Sequence, residues 1–204
     1  MRIPVPLRDF LLVSLPLLLL LAVLEAVSPS TRELMWAMRL HKSENPLARQ
    51  VMFWITDWSN FAIYAFYVLL LMRALARGQR GAWRRVLIFA AVQLAVCLVL
   101  LTGVKMVLGR PRPVTGLEIF DFFTLNPHFH SLPSGHTAEI TGSCMPLALH
   151  KGRPLLSLAL GCVVALVGFS RIYLNEHYPG DVFFGWAFGA FAGCLTASLW
   201  KQHA

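Results

Sequence analysis

The feature that most constrains this chain is a series of apolar runs, each close to the roughly 20 residues that a helix needs to cross a bilayer core. A lipid-embedded segment must satisfy its backbone hydrogen bonds internally, so each run is expected to be a helix. Hydropathy predicts six spans, at about 10–27, 59–76, 86–104, 135–150, 155–170 and 182–199.

Composition agrees with a membrane location. With 57% hydrophobic and 14% charged residues, the 204-residue chain is too apolar for an ordinary soluble domain, in which about 25% of residues are charged. Residues 28–58 mix charged side chains with Trp and Leu, which favours short amphipathic helices at the membrane interface. The sequence therefore predicts an all-α integral membrane protein with six transmembrane helices in one bundle, a single domain over residues 1–204.

The net charge of +8 could indicate a nucleic-acid partner, but the cations cluster between the apolar runs instead of forming one basic face. Positive-inside topology explains them better. Six spans place both termini and the loops at 73–85 and 150–154 on one side, which then holds ten Lys and Arg residues against eight on the other. We therefore expect cytoplasmic termini and no nucleic-acid partner.

All four cysteines lie inside apolar runs, at Cys97, Cys144, Cys162 and Cys194. None has a close neighbour at the spacing of a zinc site, so we interpret them as small side chains facing the core or lipid. No metal site and no cofactor is expected.

Three polar clusters interrupt the apolar pattern, and the predicted topology puts all of them on the outer face. They are Lys105 to Pro113, Pro133 to His136, and Arg171 to Asp181. Each cluster lies at the end of a predicted span, so packing the spans into one bundle would bring the three clusters together in a single pocket. Lys and Arg are costly at membrane depth unless they pair or bind anions, and few acids are available here. Phosphate is the anion that best fits such converging cations.

The residue types in these clusters suit phosphoryl transfer. Asp181 follows His177 by four residues, and a helical turn here would bring both side chains to one face. A carboxylate beside an imidazole fixes its tautomer and raises its basicity. Ser134 and Gly135 open the fourth predicted helix, whose N–H groups could hold a phosphate. Of His177 and His136, one could attack while the other protonates the leaving oxygen.

In order and spacing, the clusters resemble the three-part signature of the type 2 phosphatidic acid phosphatase superfamily. That family includes membrane lipid phosphatases, bacterial acid phosphatases and vanadium haloperoxidases. The matching residues are Lys105, six residues, Arg112-Pro113; Pro133-Ser134-Gly135-His136; and Ser170-Arg171, five residues, His177, three residues, Asp181. The three motifs together are very specific, and the six-span layout extends the resemblance over most of the chain.

The resemblance implies a role for each matching residue. His177 would be the nucleophile that forms a phosphohistidine, with Asp181 orienting it. His136 would protonate the leaving group and then activate water. Five residues would hold the phosphate oxygens: Lys105, Arg112, Ser134, Gly135 and Arg171. Membrane members of the family act without a metal at the outer face, so a lipid phosphate and the lipid bilayer are the expected partners.

Other polar residues near the signature have alternative interpretations. Glu139, one turn beyond His136, would tune that histidine, bind Lys105 or make a structural hydrogen bond. His128 and His130 lie in an aromatic loop and would contact a lipid head group, cover the pocket or rest at the interface.

Two charged neighbours of the signature are assigned to the surface. Arg110 is expected to meet lipid phosphate groups. Glu176 is either solvated, which is the preferred interpretation, or helps to bind the head group.

The expected function is a lipid phosphatase in a bacterial inner membrane, with its site facing the periplasm. Lipid A phosphate, undecaprenyl pyrophosphate, phosphatidylglycerol phosphate and phosphatidic acid are the candidate substrates. A lipid-to-lipid phosphotransferase would use the same residues. An ion or proton transporter would use the histidines and acids as a relay, but it would not explain the cations beside them.

Overall fold

The computed structural model describes residues 5–202, and all regular structure in this range is helical. The helices are α1 (Val5–Val27), α2 (Thr31–Glu44), α3 (Pro46–Ala76), α4 (Arg80–Val92), α5 (Leu101–Leu108), α6 (Gly135–Lys151), α7 (Pro154–Tyr173) and α8 (Pro179–Gln202). A π-helical segment, Gln93–Leu100, joins α4 to α5. The predicted all-α class is confirmed for this range, while residues 1–4 and 203–204 of the predicted domain lie outside it.

Within the described range, five stretches are long and apolar enough to cross a membrane. They are Pro6–Val27, Pro46–Ala76, Arg80–Thr115, Pro154–Tyr173 and Pro179–Gln202. The predicted span at 135–150 is also helical, but α6 has only 17 residues. At 1.5 Å per residue it is about 26 Å long, shorter than the ~30 Å hydrocarbon core. The structure therefore supports five long helices and one shorter central helix, and the count of six spans stays a prediction.

The region after the first span differs from the prediction of several short interfacial helices. The structure has one, α2, whose N-terminus is capped by the Ser30 hydroxyl accepting from the Glu33 N–H at 3.2 Å. From Pro46 the chain then forms one continuous helix of 31 residues, so the helix that carries the second predicted span begins there and not at residue 59. No Gly or Pro follows Pro46 within α3, so nothing in the backbone separates its amphipathic start from its apolar remainder.

At the centre of the bundle, α6 contacts α1, α3, α7 and α8. Glycines on α8 allow a very close approach to α6. A Cβ added to Gly185 would lie 2.5 Å from the Ser134 carbonyl oxygen, and one added to Gly189 would lie 2.4 Å from the Ala138 carbonyl oxygen. Small residues permit such backbone contact between membrane helices. The packing holds the N-terminal ends of α6 and α8 together, where the Ser134 N–H donates to the Asp181 carbonyl at 2.9 Å.

We expect Gly189→Ala to destabilise the protein, because its methyl group has no room against the Ala138 carbonyl. Overpacking of this kind costs about 1–3 kcal/mol. Gly103→Ala is the matched control, because a Cβ added there meets nothing within 4 Å. Thermal unfolding in detergent should show a lower Tm for Gly189→Ala only. Equal Tm values for the two variants would contradict the close packing of α6 and α8.

The turn between α7 and α8 is anchored by α2. Asn175 Nδ2 donates to the Met35 carbonyl at 2.9 Å, and Lys42 Nζ donates to the Leu174 carbonyl at 2.8 Å. Asn175 itself has a φ of 59°, a left-handed conformation that Asn tolerates better than most residues. These contacts fix the position of the turn that carries His177.

Candidate active site

The three polar clusters meet at one end of the bundle. Lys105 Nζ lies beside the N-terminus of α6, 3.4 Å from a Cβ added to Gly135. His177, from the turn before α8, hydrogen-bonds to the carbonyl of Ser131, which precedes α6. Residues far apart in the sequence are therefore brought together here, and His177 is only 1% exposed.

The hydrogen bond of His177 determines its tautomer. Nδ1 is 2.6 Å from the Ser131 carbonyl oxygen, which can only accept, so Nδ1 carries the proton and Nε2 keeps its lone pair. Burial lowers the pKa of His177 to about 4, although the Asp181 carboxylate acts in the opposite direction. The ring is therefore neutral at pH 7. A neutral imidazole with an unshared Nε2 is the form in which histidine can act as a nucleophile.

Asp181 does not hydrogen-bond to His177, in contrast to the orientation predicted from the four-residue spacing. Its Oδ2 is 3.9 Å from Nδ1, beyond hydrogen-bonding distance. The two residues do not share a helix face, because α8 begins only at Pro179. Oδ2 accepts instead from the Ser131 hydroxyl at 2.5 Å and from the Tyr178 N–H at 2.9 Å. Ser131 thus contacts both residues, His177 through its carbonyl and Asp181 through its hydroxyl.

Arg110 pairs with Asp181 and does not extend to the surface as predicted. Its Nη1 donates to Asp181 Oδ1 at 2.6 Å, and its guanidinium lies 4.4 Å from the centroid of the Tyr178 ring. Charge-assisted hydrogen bonding and the cation–π contact both favour this position. The charge of the buried Asp181 carboxylate is therefore balanced by Arg110.

Arg112 and Arg171 converge on one carboxylate oxygen. Glu176 Oε2 accepts from Arg112 Nη1 and lies 3.5 Å from Arg171 Nη2. Glu176 was expected in solvent, but its side chain is 24% exposed and held by both arginines. Within residues 5–202, the Nε–H groups of Arg112 and Arg171 are buried without a hydrogen-bond partner. Two guanidinium groups that share an anionic oxygen and retain free donors form a site suited to phosphate.

The first turn of α6 adds further phosphate-binding groups. Its first N–H groups have no intrahelical acceptor, and the helix dipole favours an anion there. Thr137 Oγ1 donates to the Ser134 hydroxyl at 3.0 Å, which leaves the Ser134 O–H able to donate elsewhere. His136 lies in the same turn. The groups that act on it electrostatically are Arg171, His177, Lys105 and Arg112.

Glu139 forms a structural hydrogen bond, one of the alternatives open from the sequence. Asn60 Nδ2, on α3, donates to Glu139 Oε2 at 3.2 Å, and Gln93 Nε2 donates to the Glu139 backbone carbonyl at 3.0 Å. The residue therefore ties α6 to α3 and to the π-helical segment. This contact lies next to the candidate catalytic cluster, which consists of His136, His177, Lys105, Arg112 and Arg171. Direct tuning of His136 or binding of Lys105 stays a prediction.

His128 and His130 belong to the loop beside the site. His130 Nε2 is 2.9 Å from the Thr124 carbonyl oxygen, and the His128 carbonyl accepts from the Arg112 N–H at 2.9 Å. The His128 side chain is exposed. The backbone of this loop thus helps to hold Arg112, and contact of the two rings with a lipid head group stays a prediction.

Sequence reasoning missed Ser131 and Asn60, and it assigned Arg110 and Glu176 to the wrong environment. Asn60 carried a usable signal, because an amide within an apolar run is expected to have a buried partner. Ser131 carried little signal, since its contact to His177 uses a backbone carbonyl that every residue possesses.

Residues 82–203 match the model of the PAP2 superfamily. A lipid A 1-phosphatase of Rhizobium johnstonii is 33% identical over 102 residues, which cover 48% of this chain and 41% of the relative. An undecaprenyl-diphosphatase of Sulfolobus acidocaldarius is 28% identical over 117 residues, which cover 57% of this chain and 56% of the relative. The chain thus spans about half the length of these relatives.

A solved structure has a similar fold. The crystal structure of a transmembrane PAP2-type phosphatidylglycerolphosphate phosphatase from Bacillus subtilis matches 91% of this chain and 94% of its own, with a TM-score of 0.60 and 22% identity. At that identity the likeness shows the fold alone.

Proposed function

The chain belongs to the PAP2 superfamily, and on that premise we propose that it is a membrane lipid phosphatase that acts through a phosphohistidine. One observation carries this proposal. His177 is buried and neutral, with Nε2 unshared, in a cluster that contains Arg112, Arg171 and Lys105. A nucleophilic nitrogen among anion-binding cations is the arrangement that attack on a phosphoryl group requires.

In the first step, the phosphoryl group binds to the free Nε–H donors of Arg112 and Arg171, to Lys105 and to the first turn of α6. His177 Nε2 attacks phosphorus, and the bond from phosphorus to the lipid oxygen breaks. The negative charge of the bound phosphate favours the protonated form of His136. His136 then gives this proton to the lipid oxygen, so the lipid leaves as an alcohol, or as a phosphate if the substrate is a pyrophosphate. The cations stabilise the negative charge that develops on the phosphoryl oxygens.

In the second step, His136 takes a proton from water, and the resulting nucleophile cleaves the N–P bond to release inorganic phosphate. The phosphorylated His177 ring keeps its Nδ1 proton and therefore carries a positive charge between the two steps. Its bond to the Ser131 carbonyl becomes charge-assisted, and the Asp181 carboxylate at 3.9 Å adds electrostatic stabilisation. Asp181 thus acts on His177 through space and through Ser131.

The orientation of the site follows from the basic loops. Arg8 Nη2, near the start of α1, donates to the Gly152 carbonyl after α6 at 2.8 Å, so both lie at the end away from His177. The basic 73–85 loop also lies at that end. Positive-inside topology supports a cytoplasmic position for this end, with His177 and the cations around it facing the periplasm of a bacterial inner membrane.

Release of inorganic phosphate by the purified protein in detergent tests the function. The panel contains phosphatidic acid, phosphatidylglycerol phosphate, undecaprenyl pyrophosphate and lipid A, with His177→Ala as the inactive control. We expect release from at least one of these lipids without a second lipid. An absolute requirement for an acceptor lipid would identify a phosphotransferase instead, and no turnover with any of them would refute the assignment.

Metal-independent hydrolysis is part of the same proposal. Over residues 5–202, no three His, Cys, Asp or Glu side chains are grouped as metal ligands. The cations already supply the charge stabilisation that a metal would bring, and they would repel it. Phosphate release should therefore be unchanged in EDTA. Loss of activity in the chelator, with recovery on adding Zn²⁺, would favour a metal site.

We expect Ser131→Ala to lower kcat while leaving KM nearly unchanged, because the hydroxyl holds Asp181 and does not touch the phosphate. A buried hydrogen bond to a charged group contributes about 1.5–3 kcal/mol to stability. If all of this were lost from the transition state, the rate would fall by roughly one to two orders of magnitude, which is the upper limit of the expected effect. Ser131→Thr keeps the hydroxyl and should retain most of the activity. Steady-state phosphate release distinguishes the outcomes, and a kcat equal to wild type in Ser131→Ala would exclude this positioning role.

A further inference from the structure

A basic cavity lies at the end of the bundle away from the catalytic cluster. It has a volume of about 190 Å³ and is bounded by the end of α3, the start of α4, the end of α6 and the last turns of α8. Four of its lining residues are basic: Arg73, Arg85, His150 and Lys151. The proposed reaction uses none of them.

Among the residues that the structure describes, no carboxylate lines this cavity. Nor do Arg73, Arg85 and Lys151 form ion pairs elsewhere in that range. Like charges that face a common space repel one another, and unpaired cations at a membrane surface favour an external anion. A volume of 190 Å³ equals roughly six water molecules at ~30 Å³ each, enough for a phosphate group and the atoms next to it.

An apolar groove lies next to the basic cavity, between α3 and α4. A second cavity, of about 370 Å³, follows the seam between α3 and α4 and shares Tyr67 and Val86 with the basic cavity. Tyr67 of α3 and Phe89 of α4 stack on each other with ring centroids 3.6 Å apart and form part of its wall. Val68 and Leu87, on its two sides, are about half exposed and would face lipid. A free anion would need no such groove, whereas an acyl chain would fill it.

We propose that the basic cavity binds the phosphate group of an anionic phospholipid in the leaflet opposite the catalytic cluster, with a chain of that lipid along the α3–α4 seam. The phosphate would link the ends of α3, α4, α6 and α8. Since α6 and α8 carry His136 and Asp181 near their other ends, the lipid stabilises the helices on which the catalytic cluster is built. This site does not depend on the reaction proposed above.

Thermal unfolding of the purified protein in neutral detergent tests the site. Added phosphatidylglycerol should raise Tm in a saturable manner, whereas phosphatidylcholine, which has similar chains and no net charge, should not. A third arm uses inorganic phosphate alone. An equal increase in Tm with inorganic phosphate would overturn the lipid assignment, and equal responses to the two lipids would overturn the role of the basic residues.

A charge-matched pair of variants locates the effect. The triple variant Arg73→Gln, Arg85→Gln, Lys151→Gln removes three charges from the cavity. The control Arg77→Gln, Arg80→Gln, Arg84→Gln removes three exposed charges from the same end that do not line it. The phosphatidylglycerol response should be lost in the first and kept in the second. Equal responses would show diffuse surface attraction and overturn the site.

Single variants repeat the comparison if the triple variant fails to fold. Arg85→Gln should reduce the response to phosphatidylglycerol, and its neighbour Arg84→Gln should retain it. An unchanged response in Arg85→Gln would count against the cavity as the binding site.

Discussion

His177→Ala is expected to abolish both phosphate release and the phosphohistidine, because it removes the imidazole whose Nδ1 is fixed by the Ser131 carbonyl and whose Nε2 keeps an unshared lone pair. Loss of a nucleophile that acts as a unit with its partners lowers kcat on the order of 10⁴-fold or more. The measurement is an alkaline quench of enzyme with labelled lipid, since phosphohistidine survives in base, together with steady-state phosphate release.

Two further variants make this result interpretable. His177→Asn keeps an N–H that can reach the Ser131 carbonyl, so it tests the nucleophile with less disturbance of a fully buried position. Arg84→Gln replaces an exposed side chain at the opposite end of the bundle and should leave the rate unchanged. If both His177 variants kept a normal Tm and a turnover rate close to that of the wild type, the phosphohistidine mechanism would be excluded.

Arg171→Ala should have the second largest effect. Arg171 is nearly buried, its Nε–H has no partner within residues 5–202, and it shares Glu176 with Arg112. Removing one preorganised donor to a developing negative charge costs about 2.7–4 kcal/mol, which corresponds to about 10²–10³-fold in rate.

Vanadate distinguishes a loss of charge stabilisation from a general loss of structure. It resembles the five-coordinate phosphorus of the transition state, so its inhibition constant should rise in Arg171→Ala by a factor similar to the loss in kcat/KM. Arg32→Ala, which breaks an exposed ion pair with Glu118, serves as the control and should change neither quantity. Near-wild-type kinetics in Arg171→Ala would contradict the phosphate clamp.

Most of the helices could be predicted, because the bilayer requires helices of a certain length and apolar composition, and both can be recognised directly in the sequence. The predicted spans at 155–170 and 182–199 correspond to α7 and α8, which extend a few residues further at each end. The prediction failed between residues 28 and 58, where charged and aromatic residues have the same periodicity whether they form several short helices or the start of a long one. Only the absence of a helix breaker after Pro46 indicated a single helix.

The candidate site could be predicted from the sequence where its chemistry depends on side-chain type and spacing. The histidine, serine, glycine and arginine residues at the signature positions are residues that meet in the structure. The hydrogen-bond and ion-pair partners of those residues could not be predicted. Arg110 and Arg112 are two residues apart and chemically identical, yet one pairs with Asp181 and the other with Glu176. Their choice depends on the path of the loop.

The sequence by itself determined the class of the protein, its apolar helices and the residue types of its three polar clusters, because hydropathy and side-chain chemistry are properties of single residues and short segments. Only the tertiary structure decided that a serine carbonyl, and not the aspartate, hydrogen-bonds to His177, the proposed nucleophile. The reason is physical: α8 begins after His177, so the four-residue spacing never becomes a helical contact, and a backbone oxygen brought in from the turn before α6 takes its place.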